Sequence, residues 1–157
     1  MKLFASIAFT VVTILSLTAC GGSGGSSDTK TTFEKGQYGD IKLTSNWTIP
    51  KNSLFLDIRN DWERIQFRAK GSIGGAIYEY RNQNGGSQLN PNFVDDVIAV
   101  SDNKNKQIIL ICHTGSRSTA AAKLLSNNGF SNVWQIVGGM NSWRQIKPSE
   151  TLVNQAL

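Results

Sequence analysis

Residues 107–129, QIILICHTGSRSTAAAKLLSNNG, constrain the fold more than any other part of the chain. Ile108 to Ile111 form an apolar run without alternation, the pattern of a short strand covered on both faces. The run stops at Cys112, and a helical pattern follows. Ser116 or Ser118 is placed to cap that helix, Ala121, Ala122, Leu124 and Leu125 give it an apolar side, and Gly129 sits where a left-handed terminal residue is usual. A buried strand that hands over to a helix within a few residues requires a layered α/β fold, and it puts Cys112 in the connecting turn.

That turn can carry chemistry. Successive backbone N–H groups in a tight turn, with Gly115 free to take positive φ, converge on one point and form a cradle for an anion at the N-terminus of a helix. A thiolate is such an anion, and Arg117 adds a positive charge nearby. Cys112 is therefore read as a nucleophile. The alternative, a structural thiol in the core, fits less well, because His113, Thr114, Gly115, Ser116, Arg117 and Ser118 make a polar loop.

The chain of 157 residues, 39% of them hydrophobic, has room for one domain with short extensions. Its net charge of +5 comes from sixteen Lys and Arg with no basic run among them, so attraction for small anions is expected and nucleic-acid binding is not. Lys2, the uncharged apolar stretch Leu3 to Leu17, and Leu17-Thr18-Ala19-Cys20 resemble a bacterial lipoprotein signal with its lipobox. The resemblance implies cleavage of residues 1–19 and acylation of Cys20. The stretch is also too short and too rich in Ser and Thr for a transmembrane span.

Gly21 to Ser27, GGSGGSS, is a flexible tether, and residues 20–35 are expected to link the anchor to the domain. The expected location is the bacterial cell envelope, lipid-anchored and facing the periplasm, with Gly21 favouring the outer membrane. Of two Cys in the chain, an acylated Cys20 leaves Cys112 as a lone thiol that no internal disulfide can protect.

Along residues 36–147, Ile41 to Leu43 is expected as an edge strand and Leu54 to Ile58 as a second strand. A short helix from Asn60 or Asp61 to about Phe67 follows. Gly71 to Ile77 leads into another short strand, Arg81 to Asn90 reads as a loop, and Phe93 to Val100 has helical spacing with Asp95 and Asp96 outward. Val133 to Val137 is a strand, Gly138-Gly139 a tight turn and Met140 to Ile146 a helix. Residues 148–157 are left as a tail. The alternation predicts an α/β fold with a mainly parallel sheet of about five strands and helices on both faces, with sites beyond the carboxyl ends of the strands, where Cys112 and Asp57 both lie.

Four segments, taken together, resemble a single-domain rhodanese: Leu56-Asp57-Ile58-Arg59, Gly71 to Ile77, Cys112 to Ser118, and Val137-Gly138-Gly139-Met140-Asn141-Ser142-Trp143. Ser72 and Gly74 depart from the His and Pro the family commonly has. The resemblance implies that Cys112 takes the outer sulfur of a donor such as thiosulfate as a persulfide and passes it to cyanide or a thiol, with no cofactor. It further implies that backbone groups of His113, Thr114, Gly115, Ser116 and Ser118 hold the sulfur, that Arg117 holds an anionic donor, and that Asp57 and Arg59 support the pocket wall. For Asp57 and Arg59 a purely structural role competes, Asp57 capping a turn and Arg59 pairing with Asp61 or Glu63 on the surface. His113, as the neighbour of Cys112, is badly placed for a Cys-His hydrolase, and one His with one free Cys falls short of a metal site.

Two rival functions stand beside this one. A Cys-dependent phosphatase or arsenate reductase of related fold places five residues between Cys and Arg, where His113 to Ser116 make four, and a tetrahedral oxyanion needs the wider ring. A membrane-tethered sulfur carrier or binding module without turnover, serving a protein partner, is the other.

Overall fold

The computed structural model describes residues 32–82 and 84–153; the expected lipobox, Cys20 and the Gly21 to Ser27 tether lie outside them. Among the described residues eight short strands and four α-helices follow one another: β1 (Gly39–Ile41), β2 (Leu54–Asp57), α1 (Asp61–Gln66), β3 (Arg68–Ala69), β4 (Glu79–Arg81), β5 (Ser87–Leu89), α2 (Phe93–Ser101), β6 (Ile108–Ile111), α3 (Ser116–Asn127), β7 (Val133–Ile136), α4 (Gly139–Ile146) and β8 (Thr151–Leu152).

The central sheet has four parallel strands in the order β1-β7-β6-β2. β6 lies inside it, with Leu54 opposite Ile108 on one side and Val133 opposite Ile108 on the other. Both neighbours and both faces of β6 are thus occupied, which is what its unbroken apolar sequence required, and all four of its residues are buried. Alternate side chains go to opposite layers. Ile108, Leu110 and Cys112 pack with Phe93 and Val97 of α2 and Ala121, Ala122 and Leu125 of α3. Ile109 and Ile111 pack with Phe55, Ile136, and Met140 and Trp143 of α4. The α/β architecture with helices on both faces is as expected. Each fully buried Leu or Ile of these layers contributes about 1.5–3 kcal/mol.

Several local expectations are corrected. The fifth strand is reduced to one parallel bridge, Leu56 to Ile73, made by Ile73 N–H to Phe55 O and Asp57 N–H to Ile73 O. At the two positions that depart from the family pattern, Ser72 turns its hydroxyl onto Ala69 O (2.8 Å) and Gly74 leaves space that the Arg64 guanidinium occupies. The edge strand begins at Gly39, two residues before Ile41. A glycine is a poor strand signal, but here it is needed, because any Cβ would collide with the Trp134 ring.

Arg81 to Asn90 is not a loop throughout: β4 and β5 form an antiparallel hairpin. Its strands, EYR and SQL, bury little and show no alternation, so periodicity missed it. The turn holds it instead, with Asn82 Oδ1 accepting the N–H groups of Asn84 (3.0 Å) and Gly86 (2.8 Å). Leu124 is on the solvent side of α3, 37% exposed. Beyond Ile146 the chain continues to pack: β8 pairs with β3, and Trp143 Nε1 donates to Glu150 O at 3.2 Å. Among the described residues no helix is long and apolar enough to cross a membrane.

Candidate active site

β6 delivers Cys112 to the carboxyl edge of the sheet, and residues 113–115 wrap over it before α3 starts. Of the amides between His113 and Ser118, those of Gly115 and Ser118 donate to Cys112 Sγ, at 3.1 and 3.4 Å. The Ser118 hydroxyl stands 3.5 Å from the same sulfur. Neither Ser116 nor Ser118 caps α3. Gly115, at φ 99°, is the cap residue, and its carbonyl takes the Thr119 N–H at 2.9 Å. With the chain turned that way, the Ser118 side chain points inward, onto Gly115 O (3.0 Å) and Gln135 Oε1 (3.2 Å), while Gln135 Nε2 donates to Asp40 at 2.7 Å.

The thiol is fully buried, although the residues after it are polar. The sequence made the loop legible but not the side of the strand: Cys112 continues the Ile108, Leu110 series and faces α3. His113, by contrast, is 44% exposed.

The N-terminus of α4 buttresses the loop from behind. Met140 N–H donates to Cys112 O (2.8 Å) and Asn141 N–H to His113 O (3.1 Å). A Cβ on Gly139 would stand 2.4 Å from Cys112 O. The sequence reading of Gly138-Gly139 as a turn was right, but the two glycines also let a helix end press against the cysteine loop.

Arg117 lies over the loop, and its fork is already filled. Nη1 and Nη2 donate to Glu63 Oε2 and Oε1 at 2.8 and 2.6 Å, and both side chains are 6% exposed. Burial pushes the Glu63 carboxyl up, but hydrogen bonds from Arg117 and Asn60 and the Arg117 charge overcome this and lower it to about 2. Burial opposes the Arg117 charge and Glu63 more than restores it, so that guanidinium is held above its ordinary value. Glu63 is the residue sequence reasoning missed. Its one signal was its position three residues after Asn60, where a capping residue's partner sits; Glu63 Oε2 accepts the Asn60 N–H at 3.2 Å.

Asp57 and Arg59 belong to a different arrangement. Arg59 is not on the surface with Asp61 or Glu63: it is fully buried and gives Nε and Nη2 to Asp57 at 2.9 and 2.8 Å, with Nη2 also on Phe67 O at 2.7 Å. Asp61 pairs with Arg64 instead. The backbone turn after β2 points Arg59 back toward Asp57, which spacing alone does not reveal. This pair borders the loop through Phe67, whose ring lies 5.1 Å from the Arg59 guanidinium and edge-on to His113 at 6.2 Å, and through Glu63, whose backbone O accepts Arg59 Nη1 at 3.5 Å.

A cavity of about 370 Å³ opens against the outside of the loop, between Trp62 and Glu63 of α1, Arg81 and Gly86 of the hairpin, and Thr114 and Ser116. A profile of the rhodanese-like domain matches residues 42–146. The chain belongs to the rhodanese-like family. Among relatives, it is 31% identical over 99 residues to the thiosulfate sulfurtransferase GlpE of Pseudomonas entomophila, covering 60% of this chain and 90% of that protein. It is 32% identical over 101 residues to the GlpE of Stutzerimonas stutzeri, covering 57% and 92%. The rhodanese-like domain of the Alr3790 protein from Anabaena, solved by NMR, shares the fold at a TM-score of 0.50 and 20% identity, over 65% of this chain and 66% of that one. In this rhodanese-like domain the four motifs read from the sequence fall at or beside the carboxyl edge of one sheet.

Proposed function

We propose that the protein is a sulfurtransferase that moves a sulfane sulfur from a donor such as thiosulfate to cyanide or a thiol through a persulfide on Cys112. The observation that carries this reading is the pair of backbone N–H groups aimed at Cys112 Sγ. They stabilise an anionic sulfur without a general base, and the relatives named thiosulfate sulfurtransferase agree with that chemistry. The Cys112 thiolate attacks the outer sulfur of thiosulfate, a new S–S bond forms, and the old S–S bond breaks with its electron pair leaving on sulfite. A nucleophilic acceptor then takes the outer sulfur and returns Cys112 as the thiolate.

The other residues have supporting parts. Gly115 and Ser118 supply the donors, His113, Thr114 and Ser116 wall the approach, and Arg117 supplies positive charge while clamping α3 to α1 through Glu63. Asp57 and Arg59 hold the turn beneath them. Four residues between Cys112 and Arg117 make a tight ring suited to one sulfur, which separates this reading from a phosphatase. Turnover decides between them: thiosulfate with cyanide should yield thiocyanate, and hydrolysis of p-nitrophenyl phosphate at a comparable rate would overturn the assignment.

The domain is further proposed to work in the bacterial cell envelope, held by acylated Cys20 and the Gly21 to Ser27 tether. Cys20→Ala should move the protein from the detergent-extracted membrane fraction to an uncleaved or soluble form. A variant still recovered as a mature acylated protein would refute the anchor.

A further inference from the structure

The chain enters the fold at the edge of the sheet opposite the cysteine loop. Phe33 N–H donates to Ser131 O at 2.7 Å, and the Phe33 ring meets Trp134 edge-on at 5.0 Å. Gly36 N–H donates to Ser126 Oγ at 2.9 Å. Ser126 is in the last turn of α3 and Ser131 precedes β7, so both mark the amino edge of the parallel sheet. Cys112 follows the other end of β6, and the rise from Ile108 to Cys112 puts about 13 Å between the two edges.

The amino edge is basic. The segments that lead into its four strands carry Lys35, Lys51, Lys104 and Lys106 against Glu34 and Asp102, which leaves two positive charges in excess. None of these six is in an ion pair among the described residues. Lys35, Lys51 and Lys104 are exposed and Lys106 is half-buried. Lys104 adjoins the point of entry: its carbonyl accepts the Ser131 N–H at 3.1 Å, and its ammonium donates to Asn128 O at 2.8 Å.

The length of chain before Phe33 limits how an anchored domain can stand. A domain of about 120 residues has a radius of gyration of about 14 Å and measures about 35 Å across. The stretch Cys20 to Thr31, with its Gly/Ser-rich start, corresponds to an average span of about 20 Å and a full extension of about 40 Å. The average span is enough to rest the amino edge on the surface that holds Cys20. Turning the cysteine loop to that surface would draw the tether out almost completely and lose its conformational entropy.

We propose that the amino edge of the sheet is a membrane-facing surface whose lysines rest on anionic phospholipid headgroups, so that the Cys112 loop faces the aqueous phase. This rests on the Cys20 anchor proposed above. The ammonium groups pair with headgroup phosphates. Near an anionic surface each net positive charge multiplies the population of this orientation about fivefold, and salt screens the attraction. Sulfur donors and acceptors then reach the loop from water, on the side away from the lipid.

The test uses the mature lipoprotein on vesicles of phosphatidylcholine, with or without phosphatidylglycerol. In a Cys112→Ser background, Asn105→Cys at the amino edge or Asn84→Cys at the hairpin turn beside the cavity carries a fluorophore, and energy transfer to a headgroup-labelled lipid is read. On vesicles with phosphatidylglycerol, transfer from position 105 should exceed that from position 84. Lys35→Gln, Lys51→Gln and Lys106→Gln together should weaken the orientation about a hundredfold and shrink the excess, as should phosphatidylcholine alone. Equal transfer from the two positions, or an excess indifferent to the lipid charge or to the three substitutions, would overturn the inference. Flotation of the same samples separates it from the anchor. A protein that does not float with the vesicles, or a Cys20→Ala variant that floats as well as the wild type, would refute the anchor and this inference with it. Normal flotation with equal transfer would refute the inference alone.

Discussion

Two buried arginine–carboxylate pairs lie within the same wall of the molecule and have different tasks. Asp57 and Arg59 are two residues apart, fully buried, and surrounded by the backbone of α1 and Phe67. Glu63 and Arg117 are 54 residues apart and close the space between α1 and α3 beside the cysteine loop and the cavity. The first pair is local and fixes the turn after β2. The second ties the helix that carries the sulfur cradle to the helix that forms the cavity wall. The difference teaches that the same chemistry is read by where its loss would be felt: in stability for Asp57–Arg59, in the site for Glu63–Arg117.

The largest expected effect separates them on stability. Asp57→Ala leaves the Arg59 charge buried without its carboxylate, and should cost about 3–5 kcal/mol in urea unfolding. Arg117→Ala should cost less, because Glu63 borders the cavity and keeps its Asn60 bonds, but should lower thiosulfate turnover about ten- to a hundredfold. Arg117→Lys should recover only part, since one ammonium cannot make both bonds to Glu63. Equal loss of stability with no loss of turnover per folded molecule in Arg117→Ala would make the two pairs equivalent and erase the distinction.

How much of this was legible in the sequence follows from what each signal reports. The run Ile108 to Ile111 revealed the buried strand because a strand covered on both faces has no polar alternation, and Gly115, Gly129 and Gly138-Gly139 marked turns because φ is positive there. The hairpin from Glu79 to Leu89 left no trace in periodicity, since its side chains are largely exposed and its turn does the folding. Arg59 and Glu63 were misplaced for a related reason. Charged residues read as surface unless their partners are known, and the Arg117 partner of Glu63 is supplied by tertiary folding alone. Cys112 was identified by the loop after it, whereas the layer it faces was fixed by the parity of the strand before it, both faces of which are buried.

The smallest effect is in acid. The folded carboxyl of Glu63 is lowered to about 2 from an ordinary value of 4.5, so the unfolded chain binds the proton more readily. Its contribution to stability is complete above about pH 4.5 and is lost as the pH falls toward 2. The stability difference between wild type and Glu63→Gln should therefore shrink across that window and stay level from pH 5 to 7, in contrast to a difference unchanged down to pH 2.

The central claim is that sulfur resides on Cys112 in the amide cradle, and intact mass after thiosulfate tests it most directly. The wild type should gain the mass of one sulfur atom and lose it on adding cyanide, with thiocyanate released, and Cys112→Ser should gain nothing, because a hydroxyl cannot replace the thiolate as nucleophile. A wild type that stays at its original mass, or a Cys112→Ser variant that still gains sulfur, would contradict the account.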